Sequence, residues 1–274
     1  MRKTLGSIVL LALAAAARAD EPFDTSLLRN RLWDDGKAEY NVYRAEEVRE
    51  GFARRTEVVH IVVKEPFNPR LRVKADAPTG IEVLKMNQVI NVPAGVYAFH
   101  QMHSSFWDRA TGALLKFSMS SNDSCGNTFK LGWLDGESLR LTYHTYWDGE
   151  GDGVLEQKLP AGVLFEDELP FKLRTLRRTP ESADYRIVLY PSVIGSRLGH
   201  PQPRPATIAV TSSGNERRIE VRSDSGIERF VFDRAFPYTL KSWTRPDGSS
   251  LTLRRAQRLD YWNHGRPGDE RLLE

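Results

Sequence analysis

The sequence predicts a mainly β protein: a large antiparallel curved sheet or incomplete β-barrel with one amphipathic helix at about residues 163–178. Three observations carry this. Apolar residues alternate with polar ones in short runs over most of the chain, the period of half-buried strands. Short turns rich in Gly, Asn and Asp separate the later runs, which favours antiparallel neighbours. A single stretch near the middle switches to helical spacing.

In chain order, residues 1–19 have the form of a secretory signal. Arg2 and Lys3 start it, Leu5 to Ala17 are nearly all apolar or small, and Ala17-Arg18-Ala19 supplies an A-x-A cleavage site. The mature chain is expected to begin at Asp20 and to be periplasmic or secreted. The apolar run falls short of the roughly 20 residues that span a bilayer, and no second run follows, so no transmembrane span is expected in the mature chain. A lipid anchor would need a cysteine just after the cleavage site, and the one cysteine is Cys125.

Strands are expected at Glu57 to Lys64, Gly95 to His103, Leu114 to Ser120 and Thr128 to Trp133, the last with Phe129, Leu131 and Trp133 at alternate positions. The cleanest alternation places Leu139, Leu141, Tyr143, Thr145 and Trp147 on one face and Arg140, Thr142, His144 and Tyr146 on the other. From Val163 to Arg178, Phe165, Leu169, Leu173 and Leu176 recur at helical intervals. Glu166, Asp167 and Glu168 at the start and Arg174, Arg177 and Arg178 at the end complement a helix dipole. Pro170 fits the first turn or kinks the helix.

Six further strands are expected: Tyr185 to Tyr190, Ala206 to Val210, Arg217 to Arg222, Glu228 to Asp233, Tyr238 to Thr244 and Leu251 to Trp262. Gly214-Asn215, Ser225-Gly226 and Asp247-Gly248 join later members into a meander. Pro201, Pro203 and Pro205 mark an extended loop or sheet edge, since proline cannot donate to a central ladder. One domain over 20–264 with a flexible tail at 265–274 is the expected organisation. A membrane barrel is disfavoured because the last strand carries Thr252, Arg254, Ala256 and Arg258 on one face and Arg255 and Gln257 on the other, so neither face suits hydrocarbon.

Composition excludes several classes. With 40% hydrophobic and 27% charged residues, 20 Gly and 15 Pro among 274 residues, the chain is neither disordered nor collagen-like. A single cysteine excludes an internal disulfide framework. The formal charge of +3 lies in the leader: without Arg2, Lys3 and Arg18, 36 basic residues face 36 acidic ones. A neutral chain gives no net pull toward nucleic acid, and no nucleic-acid partner is expected.

Candidate chemistry is sparse. His100 and His103 are three apart, which on a strand sets them on opposite faces, so they cannot share a metal, even with Met102, Met119 and Cys125 nearby. Asp148, Glu150 and Asp152 alternate with glycines as in calcium loops, but Leu159 stands where a bidentate acid is required, and a glycine-rich turn is the expected structure. Cys125 with His144 would make a nucleophile pair only if His144 left the polar face of its strand. No catalytic residue and no cofactor is expected, and G-x-S-x-G, P-loop and H-E-x-x-H patterns are absent.

Trp33-Asp34-Asp35-Gly36-Lys37-Ala38-Glu39, Lys64-Glu65-Pro66-Phe67-Asn68-Pro69, Val73-Lys74-Ala75-Asp76 and Val83-Leu84-Lys85-Met86-Asn87 resemble segments of an exported bacterial family of unknown function, some members of which are labelled septum formation inhibitor Maf. The likeness spans mainly residues 30–130 and reaches Cys125-Gly126, where the family shows an acid and a tryptophan before the cysteine and this chain has Asp123 and Ser124. It implies an exported envelope protein and no catalytic residue. The Maf label would imply nucleotide pyrophosphatase chemistry on an α/β fold, which a strand-rich exported chain does not support.

The strand-and-helix order also resembles the half-barrels of periplasmic lipoprotein carriers at the level of fold. The resemblance leads to an expected apolar ligand, a lipid or acyl chain, held between sheet and helix by Phe165, Leu169, Leu173 and Leu176. An envelope protein partner, met through a sheet edge or through Pro201 to Pro205, and a hydrolase with catalytic residues from separate strands are the alternatives.

Overall fold

The protein is described here from a computed structural model covering residues 22–77, 80–178 and 180–273. The predicted signal sequence lies outside the described residues. The alternating runs form one sixteen-stranded sheet. Its strands are β1 (Ala38–Arg49), β2 (Phe52–Asn68), β3 (Val73–Lys74), β4 (Ile81–Ala94), β5 (Tyr97–Asp108), β6 (Leu114–Asn122), β7 (Asn127–Asp135), β8 (Ser138–His144), β9 (Asp152–Lys158), β10 (Leu164–Phe165), β11 (Ser182–Tyr190), β12 (Arg204–Ser213), β13 (Glu216–Ser223), β14 (Gly226–Asp233), β15 (Leu240–Thr244) and β16 (Ser250–Leu259).

Apart from β3, which pairs only with β2, strands that follow one another from β1 to β9 and from β10 to β16 are neighbours in the sheet, and β16 pairs with β1 from Ala38 opposite Leu259 to Glu46 opposite Ser250, with a bulge between Val42 and Tyr43. The meander therefore runs around the molecule and stops at two ends, β9 and the short β10, which joins β11 in parallel. The sheet is open and curved. Because consecutive strands are antiparallel, connections fall alternately at two rims: the β1–β2, β4–β5 and β15–β16 turns at one, the β5–β6 and β7–β8 turns at the other. Strands β1 and β4 lie outside the segments that sequence alternation marks one by one.

The predicted helix is shorter and less regular than its periodicity suggests. Residues Glu166–Glu168 form a 3-10 turn, α1 covers only Leu169–Lys172 with Pro170 in its first turn, and Leu173–Thr175 is again 3-10. Both ends are claimed by pairing elsewhere. Phe165 lies in β10, while Leu176 bridges Phe23 and the Asp24 amide donates to the Thr175 carbonyl at 2.6 Å. The acids assigned to a helix dipole are instead tied to named partners. Glu168 accepts from the Phe165 amide (3.0 Å) and the Trp107 indole (2.6 Å), and Asp167 from the Val193 amide (2.7 Å).

This segment plugs the concave side of the sheet. Leu169, Leu173 and Leu176 pack with Tyr43, Ile208, Ile219, Phe230, Phe232 and Leu251 in the largest core cluster, and Phe171 packs with Trp33 and Trp107. Arg174 is buried against Glu39 in a bidentate pair (2.7 and 2.9 Å) and also donates to the Pro237 carbonyl. Two anchors thus hold the plug, one apolar and one ionic.

Strand β7 corrects the sequence expectation about its faces. Phe129, Leu131 and Trp133 point away from the core, and Thr128, Lys130 and Gly132 point in. The Phe117 ring occupies the inner side so closely that a Cβ on Gly132 would lie 2.1 Å from it. Outside, Trp133 stacks on Phe67 and is covered by the Arg72 guanidinium at 4.4 Å. Inside, the Lys130 ammonium donates to the carbonyls of Val193, Gly195 and Arg197 (3.0, 2.8 and 2.5 Å), strapping the 191–198 connection across the interior. Burial lowers its pKa to about 8.

Candidate functional site

Two cavities flank the plug, and residues 165–168 wall both. The larger, about 600 Å³, lies beside the Leu159–Val163 link that connects the two ends of the sheet. Its walls are mainly apolar: Phe23, Leu114, Leu134, Val163, Phe165 and Ile187, with Lys172 and Arg186 among the few charges. Several of these side chains are only half-buried, as wall residues of an open groove must be. The Lys172 ammonium is held at 2.9 Å from the Gly112 carbonyl and sits over the Phe23 ring.

The expected ligand stripe divides between core and groove. Phe165 reaches the groove wall, whereas Leu169, Leu173 and Leu176 lie in the core cluster with residues of β1, β2, β4 and β11 to β16 and line none of the described cavities. A residue on the inner face of a plug meets the sheet, and only its ends can border a void.

The second cavity, about 350 Å³, opens toward the rim of the β1–β2 and β15–β16 turns. It is charged. Glu47 and Arg49 come from β1, His60 from β2, Gln88 from β4, Glu166 and Asp167 from the plug, Arg204 from β12, Glu228 from β14, and Trp243 and Arg245 from the end of β15. Glu47, 1% exposed, takes the Arg245 guanidinium on Oε1 at 2.5 Å. Its Oε2 has no hydrogen-bond partner, with the Arg49 guanidinium 3.7 Å away. Arg204 pairs with Glu166, whose other oxygen accepts from the Ser192 amide. Glu228 accepts from the Trp243 indole at 2.7 Å.

Protonation in this cavity is displaced from ordinary values. Burial, the nearby Glu166 charge and the more weakly felt Asp167 outweigh the Trp243 hydrogen bond and Arg245, and raise the Glu228 carboxyl to about 7. Burial and the Arg174 charge push the His60 imidazole down to about 3, so it stays neutral, and its Nε2 has no partner. His103, its Nε2 3.7 Å from Asp167 Oδ2, is likewise lowered by burial.

The other sequence candidates are used structurally. His103 is inside and His100 outside, hydrogen-bonded to Asn91, so the pair does not converge. The 148–153 run is a turn leading into β9. Glu150 accepts from the amides of Leu198 and Gly199, and Asp152 faces His144 at 3.3 Å. Asp148, Glu150 and Asp152 form no group able to hold a metal among the described residues. Cys125 is an exposed thiol in a turn capped by Asp123, and His144 is turned to Asp152. Asp34 and Lys64, from segments that carry the family resemblance, join an ionic clasp with Glu82 and Arg109: Arg109 grips Asp34 bidentately and Glu82, and Lys64 joins both acids.

Glu47, His60 and Glu228 were not singled out from the sequence, although strand parity points to them. Each is in phase with buried apolar residues of its own strand: Glu47 with Tyr43 and Ala45, His60 with Val58 and Val62, and Glu228 with Phe230 and Phe232. Lys130 carried the opposite signal, being in phase with Thr128 and Gly132.

Fold and cavities together define an open, barrel-like antiparallel β protein with a helical plug. Among solved structures the chain is similar to a β-barrel-like protein of domain of unknown function DUF1849 from Brucella abortus, with a TM-score of 0.51 and 11% identity, covering 82% of this chain and 98% of that one. At that identity the likeness is one of fold. No known family profile matches the chain, and no curated protein matches it. No helix among the described residues is long and apolar enough to cross a membrane.

Proposed function

We propose that this is an exported cell-envelope protein that binds an apolar ligand, a lipid or acyl chain, without chemical conversion, in the groove beside the two ends of the sheet. The observation that carries the proposal is the groove itself. About 600 Å³ bordered by Phe23, Leu114, Leu134, Val163, Phe165 and Ile187 falls within the roughly 300–1,000 Å³ of small-molecule sites. Lys172 and Arg186, with Glu137 and Glu168, are the charged residues on its wall, and the two cations are the groups that would meet an acyl carboxylate. Export rests on the leader at residues 1–19, and the processed chain is expected to start at Asp20, which N-terminal sequencing of the extracytoplasmic protein checks.

Binding is tested with a fluorescent fatty acid titrated into the purified protein and displaced by palmitate. One saturable site, lost in Val163→Asp and Ile187→Asp while both variants keep the wild-type circular dichroism, is the expected result. No saturable signal, or binding unchanged in both variants, rejects the groove as the site.

A further inference from the structure

The charged cavity makes demands that the apolar groove does not, and it stands independently of the groove's function. We propose that the cavity walled by Glu47, His60, Glu166 and Glu228 is a second binding site, for a small organic ammonium ion.

The first support is the charge of its walls. Glu47, Glu166, Asp167, Glu228 and Asp247 face three guanidiniums, those of Arg49, Arg204 and Arg245. Those guanidiniums are already engaged: Arg245 by Glu47, Arg49 by the Gln101 amide oxygen at 3.0 Å, and Arg204 by Glu166 and Asp224. His60 adds no positive charge, because burial keeps it neutral. The excess is acidic, and a cation is the complement of a concave acidic wall.

The second support is independent of charge counting. Glu47 and His60 are 1% and 3% exposed and line the cavity, yet Glu47 Oε2 and His60 Nε2 have no hydrogen-bond partner. Buried polar atoms without partners are costly and uncommon, and at a cavity wall they mark where a ligand donor fits. A primary ammonium carries three donors, suited to Glu47 Oε2, the Nε2 of neutral His60 in its Nδ1–H tautomer and a Glu228 oxygen.

Glu228 makes the site pH-dependent. The groups around it are Glu166 and Asp167 from the plug, Trp243, Arg245 and Asp247 from the β15 end, Arg204 from β12, Glu47 and Arg49 from β1 and His60 from β2. Protonated Glu228 cannot form an ion pair with an ammonium, and ionised Glu228 is disfavoured by burial and by Glu166 until a cation arrives. Binding therefore releases a proton near neutral pH, and affinity rises between pH 6 and 8.

The test uses three probes of equal chain length: 1,4-diaminobutane, 1,4-butanediol and succinate, titrated calorimetrically into the protein purified from its producing cells. One site for the diamine, at least tenfold tighter than for the diol, with no succinate binding and with tightening from pH 6 to 8, is expected. Glu228→Gln and Glu166→Gln, each checked for wild-type circular dichroism and a cooperative unfolding transition in the absence of ligand, are expected to weaken the diamine at least tenfold. The fatty-acid titration reads the groove separately, so the two sites fail or hold on their own. Absence of diamine binding, equal binding of diol, preference for succinate, or diamine affinity unchanged in both folded variants overturns the proposal.

Discussion

The two cavities share the Phe165–Glu168 wall and differ in nearly everything else. The groove beside the sheet ends is an unfilled remainder of the apolar interior, where β9 and β10 do not meet and Leu159–Val163 spans the distance. The rim cavity is walled by ionisable groups, some of them buried, and several are held away from their ordinary protonation. An apolar groove costs only lost contacts, whereas a buried carboxylate facing other carboxylates carries an electrostatic penalty that folding must offset. The groove is what an open sheet leaves behind, and the charged cavity is a stored strain.

Four perturbations separate the regions, the first by removing the wall they share. Arg174→Met deprives buried Glu39 of its bidentate partner and releases the plug, with an expected loss of about 3–5 kcal/mol. Denaturant titration measures it, and a loss below about 1 kcal/mol would show that the apolar leucines hold the plug alone.

Glu228→Gln acts on the charged cavity only. The folded carboxyl titrates at about 7 against an ordinary value of 4.5, so the native state keeps a proton that the unfolded chain has lost between these pH values. Wild-type stability therefore falls as pH rises from about 4.5 through 7. The glutamine variant escapes that fall, gaining about 3 kcal/mol at pH 8 and nearly nothing at pH 4. Urea titrations at both pH values check the sign.

Lys130→Met leaves the carbonyls of Val193, Gly195 and Arg197 without their donor, at about 1–2 kcal/mol. Ser192 and Ile194 border the charged cavity and no residue of that strap borders the groove. Hydrogen exchange should accelerate over 191–198 and leave 159–165 unchanged. The smallest effect on stability comes from Val163→Asp on the half-exposed groove wall, within about 1 kcal/mol. There the loss of fatty-acid binding, not of stability, is the readout.

Much of the fold was legible. Period-2 alternation and Gly-marked turns locate most strands and the meander, because each strand must bury one face whatever its neighbours are. The plug was legible as an apolar stripe and misjudged in length: helical spacing at Phe165 and Leu176 does not distinguish a helix from strand partners at its ends. Strand β7 was legible in period and inverted in phase. The outer Trp133 finds cover from Phe67 and Arg72, contacts separated by some sixty residues of chain, and no local pattern encodes them.

By itself the sequence determined the class of fold, the place of the plug, the opposite facing of His100 and His103, and the expectation of export from its first nineteen residues. Tertiary structure decided which side of β7 is inside, where the sheet stays open, and that Glu47, His60, Glu166 and Glu228, spread over some 180 residues of chain, share one cavity. The reason is physical. Burial of an alternating face is a local requirement that each strand records in its own residues, whereas the field at a carboxylate depends on charges that only folding brings near.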